Sequence, residues 1–416
     1  MRKTLPKQGR SWEDIEQEML RFRDDDVDWR RGRMPFQVWY GGDDLFDIQI
    51  KGYTMFMQEN GGGAGRAFMS LKYMEDGIID FAAGLFNGPD AVGHITSGGS
   101  ESIFVAMKAA RDWAREKYPQ IKKPQVVIPF SGHPTFNRAA EYLGLSITRI
   151  PVGDDLRADV EAMARAIGPN TIALIGSAVC FPYGVIDPIG ELSAVAKERG
   201  LWLHVDACVS GYTAPFCKEL GYPIPDFDFS VPGVMSMSAD LHKYGFCAKG
   251  TSTVLYRNPE FEKFQPFVFD QWPLGRFSNP NVASSRPGGS ISSAWALMNY
   301  LGYDGYLKLN DRLMKMRQRY MDGINAIDGV RINGSPHSLI ITYSAVSDEV
   351  DMSAVADELG RREWYVGRLR QPPGILIGLS LPHEAVVDEY LGHLADAVAQ
   401  VKKTGAKGKV DAPATY

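Results

Sequence analysis

The chain reads as an α/β protein, with a large domain on a mainly parallel sheet and a smaller α+β domain after it. Three observations lead there. Between residues 71 and 256, apolar runs of strand length alternate with runs whose apolar residues recur at helical spacing, the pattern of successive β/α units covering both faces of a sheet. After Pro266 the alternation gives way to Gly-, Pro- and Ser-rich loops at 271–275 and 284–289, then to a long helix and a mixture of strands and helices. The length, 416 residues with 44% hydrophobic and 23% charged, suits a soluble globular chain large enough for more than one domain.

Taken in order, Ser11 ahead of Glu13 and Asp14 has the form of a capped helix start, and Trp12, Ile15, Met19 and Phe22 form an apolar stripe. Residues 32–40 read as an extended loop. Asn60-Gly61-Gly62-Gly63-Ala64-Gly65-Arg66 is glycine-rich, but no strand precedes it and no Lys-Ser/Thr follows, so a flexible turn is expected rather than a phosphate loop. Helices are expected at 71–86, from Ile103 through Trp113, and at 137–143, 159–167 and 191–199. Strands are expected at 125–129, 171–175, 201–205, 234–237 and 252–256. Beyond the loops come a helix at 303–324, strands at 338–343 and 374–380, and helices at 352–360 and 383–401. The expected division is an arm at 1–55, a large domain at 56–290, a small domain at 291–402 and a disordered Gly/Lys-rich tail at 403–416.

A net charge of −5 argues against a nucleic-acid surface. Cys180, Cys208, Cys217 and Cys247 make no C-x-x-C pair and no zinc-type spacing. Free thiols in a reducing, cytoplasmic compartment and no metal are expected. The most apolar run, 171–186, is broken by Gly176, Pro182 and Gly184, and no apolar core follows the first six residues. No membrane span or signal peptide is expected.

Three stretches carry chemistry. His94-Ile95-Thr96-Ser97-Gly98-Gly99-Ser100 opens a helix and offers free backbone N–H groups to an anion; by itself it is equally an ordinary start capped by Ser100. Asp206 ends an apolar strand, where open α/β sheets bind ligands; by itself it is equally a turn residue. Lys243 follows a strand end, where a lysine whose pKa is lowered forms a Schiff base with a carbonyl; by itself it is equally an exposed lysine. Together, in this order, they supply what a pyridoxal 5'-phosphate site needs: a phosphate cup, a carboxylate for the pyridine nitrogen and an amine for the aldehyde.

These stretches, with Gly176-Ser177, Phe181-Pro182, His204-Val205-Asp206-Ala207-Cys208, Ser238-Ala239-Asp240, His242-Lys243-Tyr244-Gly245 and Ser285-Arg286-Pro287-Gly288, resemble the pyridoxal-phosphate-dependent group II decarboxylases and, within them, the sphingosine-1-phosphate lyases. The resemblance runs over about residues 32–380 and implies the fold-type I, aspartate-aminotransferase-like architecture. It implies catalytic roles for Lys243, Asp206 and His133, with His133 stacking on the cofactor ring. It implies cofactor contacts from Gly99, Ser100 and His242, and substrate contacts from Tyr40, Cys208, Lys249 and Arg286. Lys249 matches a lysine that binds substrate phosphate. Trp39 stands at the place of an active-site tyrosine, with Tyr40 one residue later, and Phe246 replaces another tyrosine. The resemblance also implies a homodimer with shared active sites, in which the N-terminal arm packs on the partner and the loop carrying Arg286 crosses to its cofactor.

The activity implied is retro-aldol carbon–carbon cleavage of an anionic or phosphorylated β-hydroxy amine. An α-amino-acid decarboxylase needs the same cofactor residues, and the presence of Asp206, His242 and Lys243 counts against an inactive scaffold. The 60–66 loop lacks the family's His-Pro segment, which lines the substrate pocket. With Lys249, Arg286, Arg66, Arg368 and Arg370 as candidate cations, a short anionic substrate is expected in preference to a lipid.

Overall fold

The structure, a computed structural model, describes residues 4–408. Its large sheet has seven strands: β1 Val92–Thr96, β2 Gln125–Pro129, β3 Ser146–Ile150, β4 Thr171–Ser177, β5 Trp202–Asp206, β6 Val234–Ala239 and β7 Ser252–Tyr256. Their order is β1-β7-β6-β5-β4-β2-β3. β3 to β6 pair in parallel through β2 and β4, while β7 runs antiparallel to both β6 and β1. An aromatic hairpin, β8 Phe267–Phe269 and β9 Phe277–Asn279, follows. A second sheet in the order β10-β11-β13-β12 is built from β10 Val330–Ile332, β11 Ile340–Ala345, β12 Gly367–Arg370 and β13 Pro373–Gly378.

The helices are α1 Trp12–Phe22, α2 Asp43–Met55, α3 Met69–Leu85, α4 Gly99–Lys117, α5 Thr135–Leu143, α6 Val160–Arg165, α7 Ile189–Arg199, α8 Ala214–Glu219, α9 Pro259–Glu262, α10 Gly288–Ala326, α11 Met352–Arg361 and α12 Val387–Thr404. Successive residues of a strand face opposite sides, and that alternation creates two cores. Val127, Leu174, Leu203, Val205, Met237 and Leu255 face α3, α7 and α10. Val126, Ile128, Ile175, Trp202 and Tyr256 face α4 and α5. Trp202, His204 and Asp206 therefore share the α4 face of β5, which brings Asp206 to the side where α4 begins.

The mainly parallel large sheet and the smaller C-terminal unit are as expected. Ser11 caps α1 by accepting from the Asp14 amide, 3.2 Å away. The long helix is longer than its apolar pattern suggested. It starts at Gly288 and is broken by Gly302 at φ 56°, a left-handed backbone that interrupts the periodicity on which the reading relied. The glycine-rich 60–66 loop is not a free turn. Asn60 accepts from the Gly62 and Arg286 amides and donates to Ser285 Oγ, and the Gly61 amide donates to the Arg286 carbonyl. Of the expected tail, Lys403 and Thr404 close α12, and residues 409–416 lie outside those described. No helix among the described residues is long and apolar enough to cross a membrane, and no His/Cys/Asp/Glu cluster among them could hold a metal ion.

Candidate active site

The site forms where the C-terminal ends of β5 and β6 meet the first turn of α4. Beyond β6 the chain makes a tight turn, with the Lys243 amide donating to the Asp240 carbonyl at 3.3 Å. This brings the Lys243 ammonium to 3.1 Å from Asp240 Oδ2, with both side chains largely buried. Asp240, part of the Ser238-Ala239-Asp240 stretch but given no role from the sequence, is the hub. Burial alone would push its carboxyl up, but Lys243 and His242 hold it below the ordinary carboxylate range. Its i, i+3 spacing to Lys243 was the signal available.

His242 Nδ1 accepts from the Thr251 amide at 3.3 Å, so its proton is on Nε2, 3.5 Å from Asp240 Oδ2. Burial pushes the His242 pKa down to about 4, so the ring is a neutral donor. A β-carbon at Gly98 would lie 3.1 Å from His242 Cε1, and one at Gly99 would crowd Asp240 and Cys208 at 2.8 Å. The glycines thus leave a hollow lined by His242 and by the Gly99 and Ser100 amides, which head α4 with no carbonyl a turn behind them. Glu101 braces the hollow. It accepts from the Ser97 amide and hydroxyl on one oxygen and from the Val282 and Ala283 amides on the other.

Asp206 ends β5, and its Oδ1 accepts from the Cys208 amide at 3.1 Å. His133 lies in the loop between β2 and α5, with Nδ1 2.9 Å from Thr135 Oγ1 and 3.2 Å from the Thr135 amide. Burial lowers the His133 pKa, and the ring feels the charges of Asp206, Lys243 and Asp240, so the four groups are neighbours. Ser131 Oγ and Asp240 Oδ1 are buried with no hydrogen-bond partner among the described residues. A glycine-walled anion hollow, a buried amine, a strand-end carboxylate and these two unsatisfied oxygens fit pyridoxal phosphate. Gly99, Ser100 and His242 could hold its phosphate, Asp206 its ring nitrogen and Lys243 its aldehyde carbon.

The expected substrate contacts divide. Lys249 joins the site. Its Nζ stands 4.4 Å over the Trp39 ring, which Lys243 approaches at 5.9 Å, and donates to the Gln37 and His242 carbonyls. Burial, and then the charge of Lys243, bring its pKa down to about 8. Cys208 is also present, but burial and the two nearby carboxylates push its thiol well up, making it a wall rather than a nucleophile.

Tyr40 is a correction. Its hydroxyl bonds Asp43 and its ring lies 5.3 Å from the Arg30 guanidinium, and it is Trp39 that faces the lysines. Arg286 pairs with Glu75 at 3.2 Å and donates to the Ile95 and Gly61 carbonyls, tying loops together within the chain, while the contact expected of it is with a second copy. Of the remaining candidate cations, Arg66 is exposed and Arg368 is paired with Asp357. A cleft of about 1840 Å³ opens from Ser100, His133 and Thr135 toward the small sheet, lined by Phe130, Phe181, Val346, Tyr365 and Leu369, with Arg370 at its wall. Segment 344–376 gives this cleft an apolar wall, while the 60–66 loop braces 284–287.

The pyridoxal-dependent decarboxylase conserved domain matches residues 71–344. The sphingosine-1-phosphate lyase of Oryza sativa subsp. japonica is 38% identical over 412 residues, covering 97% of this chain and 75% of the relative. A probable L-tyrosine/L-aspartate decarboxylase of Methanothermobacter thermautotrophicus is 32% identical, covering 82% of this chain and 90% of its own. The structure of a Burkholderia pseudomallei K96243 sphingosine-1-phosphate lyase superposes with TM-score 0.91 at 32% identity, covering 97% of this chain and 94% of that one. A Lactobacillus brevis glutamate decarboxylase, at 18% identity and TM-score 0.83, shares the fold over 97% of this chain and 96% of its own.

Proposed function

The chain belongs to the pyridoxal-dependent decarboxylase family, and on that premise we propose that it is a carbon–carbon lyase that cleaves the Cα–Cβ bond of a phosphorylated β-hydroxy amine by retro-aldol chemistry. Its cofactor is pyridoxal 5'-phosphate. The observation that carries the substrate reading is Lys249: a second cation shares the Trp39 ring with Lys243, where a phosphorylated amine would place its anion. The likeness to lyases named for sphingosine 1-phosphate supports it.

Bound at the site, pyridoxal phosphate supplies an electron sink for the pair left when a bond to Cα breaks. The residues do the rest. The Gly99 and Ser100 amides and His242 Nε2–H would hold the phosphate, and Asp206 would keep a proton on the ring nitrogen. His133 would cover the ring. Lys243 Nζ, as a free amine, would accept the β-hydroxyl proton and give a proton to Cα. Lys249 anchors the substrate phosphate, and the apolar cleft takes the departing aldehyde and its tail.

We extend the proposal to a homodimer in the cytoplasm. Met55, Tyr73, Phe81, Trp295 and Tyr300 are exposed on α2, α3 and α10, and Trp12, Met19 and Phe22 are exposed on α1, an apolar surface for a second copy to cover. The arm at 1–55 and the division at 290 belong to the same reading.

An α-amino-acid decarboxylase is the second reading, favoured by the likeness to the Methanothermobacter enzyme. The holoenzyme incubated with long- and short-chain β-hydroxy amine phosphates and with amino acids decides. Aldehyde from a phosphorylated substrate supports the lyase, and carbon dioxide from an amino acid without aldehyde replaces it with the decarboxylase. The yield across chain lengths reports whether the apolar cleft is used.

A further inference from the structure

Behind Asp206 lies a row of buried polar groups that the reaction outlined above does not use. Trp202, His204 and Asp206 point to one face of β5. On β6 Ser236 stands beside His204 and Ser238 beside Asp206 in the parallel register, so the two rows interleave. Trp202 Nε1 is 2.8 Å from Ser236 Oγ, which is 2.8 Å from His204 Nδ1. His204 Nε2 is 3.3 Å from Ser238 Oγ, and Ser238 Oγ is 3.5 Å from Asp206 Oδ1. Cys208 Sγ is 3.3 Å from Ser238 Oγ. The two serines are 0% exposed and His204 is 2% exposed, so water does not complete these bonds.

The donor inventory gives the row a direction. An indole N–H can only donate, so Ser236 Oγ accepts from Trp202 and has its own proton to give to His204 Nδ1. With Nδ1 accepting, the imidazole carries its proton on Nε2 and donates to Ser238. Ser238 accepts from His204 and Cys208 on its two lone pairs and has one proton left, for a carboxylate that can only accept. Every donor in the row then has an acceptor. The reverse direction leaves the Ser236 hydroxyl proton without an acceptor in the row, a cost that burial makes large.

We propose that Trp202, Ser236, His204 and Ser238 form a one-way hydrogen-bond relay that fixes the orientation of Asp206, making His204 a positioning residue for the ring nitrogen of the cofactor. This rests on the assignment of Asp206 to that nitrogen. Burial also lowers the His204 pKa to about 4, in keeping with a neutral ring. The relay gives a role to His204, Ser236 and Ser238, which are buried in the centre of the sheet.

Nitrogen NMR of the protein labelled with 15N-histidine tests the relay, first without cofactor. The His204 signal, identified by its loss in His204→Gln, is expected to be that of the neutral Nε2–H form. The Nδ1–H form or an imidazolium overturns the proposal. The protein loaded with pyridoxal phosphate 15N-labelled in the ring then reports the ring nitrogen's proton. Ser236→Ala is expected to move that signal toward the unprotonated value and to lower kcat about tenfold, as loss of a supporting hydrogen bond does, with KM within about twofold. His204→Gln, which keeps an N–H for Ser238, should stay closer to wild type than His204→Leu. An unchanged ring-nitrogen signal and unchanged kcat in Ser236→Ala and His204→Leu overturn the relay. If Asp206→Asn shifts the signal while those two do not, the relay alone fails; if Asp206→Asn does not shift it, the assignment of Asp206 fails as well.

Discussion

Burial and a like charge together set the behaviour of Lys249. A fully hydrated lysine stays charged to well above pH 10, whereas Lys249, which keeps part of its surface in solvent, is brought down to about 8 and loses its charge as the pH rises through that value. If it binds the substrate phosphate in the charged form, KM is constant below pH 8 and climbs about tenfold per unit above it, with kcat moving less. Lys249→Met should abolish that alkaline limb and raise KM at pH 7 roughly ten- to a hundredfold, the worth of a charge-assisted hydrogen bond. A wild-type pH profile shared by the variant would remove Lys249 from substrate binding. Lys243, Asp206 and His133 were legible in the sequence because each sits at a strand end or in the loop after one, and strand ends can be read from apolar runs. Tyr40 was not. Which way a loop side chain turns depends on distant partners, here Asp43 and Arg30 for Tyr40 and Glu75 for Arg286.

Among elements, the start of α4 carries the site, and Glu101 holds it to the 281–286 segment. One carboxylate satisfies three backbone amides and a hydroxyl, so Glu101→Gln, which keeps a single accepting oxygen, leaves part of that set unpaired. We expect the unfolding free energy of the cofactor-free protein to fall by about 1–3 kcal/mol, read as a lower denaturant midpoint, with weaker cofactor retention. An unchanged midpoint would mean that water replaces the lost partner. Gly62→Ala tests the other brace: a β-carbon there would overlap the Ser284 carbonyl oxygen, so the 60–66 loop should separate from 284–287. Faster proteolysis at 284–287 is the expected readout, and wild-type resistance would show that the brace yields without cost. The strands of the large sheet were mostly legible. β1 and β3 were not read as strands, since β1 contains Gly93 and His94 and β3 alternates apolar with polar residues. The β8–β9 hairpin was hidden by the Gly- and Pro-containing turn between its arms.

For the whole molecule, the apolar faces of α1, α2, α3 and α10 predict that the active species sediments as a dimer. Trp295→Asp should shift it toward monomer and lower activity with it, and a fully active wild-type monomer would contradict the shared-site reading. The two-domain architecture was legible because β/α alternation and its end near Pro266 are properties of long stretches, over which local ambiguities average out. The apolar cleft was not, because its walls join residues near 130 and 181 to residues 344–376. The central claim is that this architecture brings cofactor and amine together at Lys243. It is tested most directly by reducing the yellow holoenzyme with borohydride, digesting it and locating the pyridoxyl group by mass spectrometry. The account predicts loss of the visible band and a single modified peptide carrying the group on Lys243. A label on Lys249 or any other lysine, or protein that stays colourless after reconstitution, would contradict it.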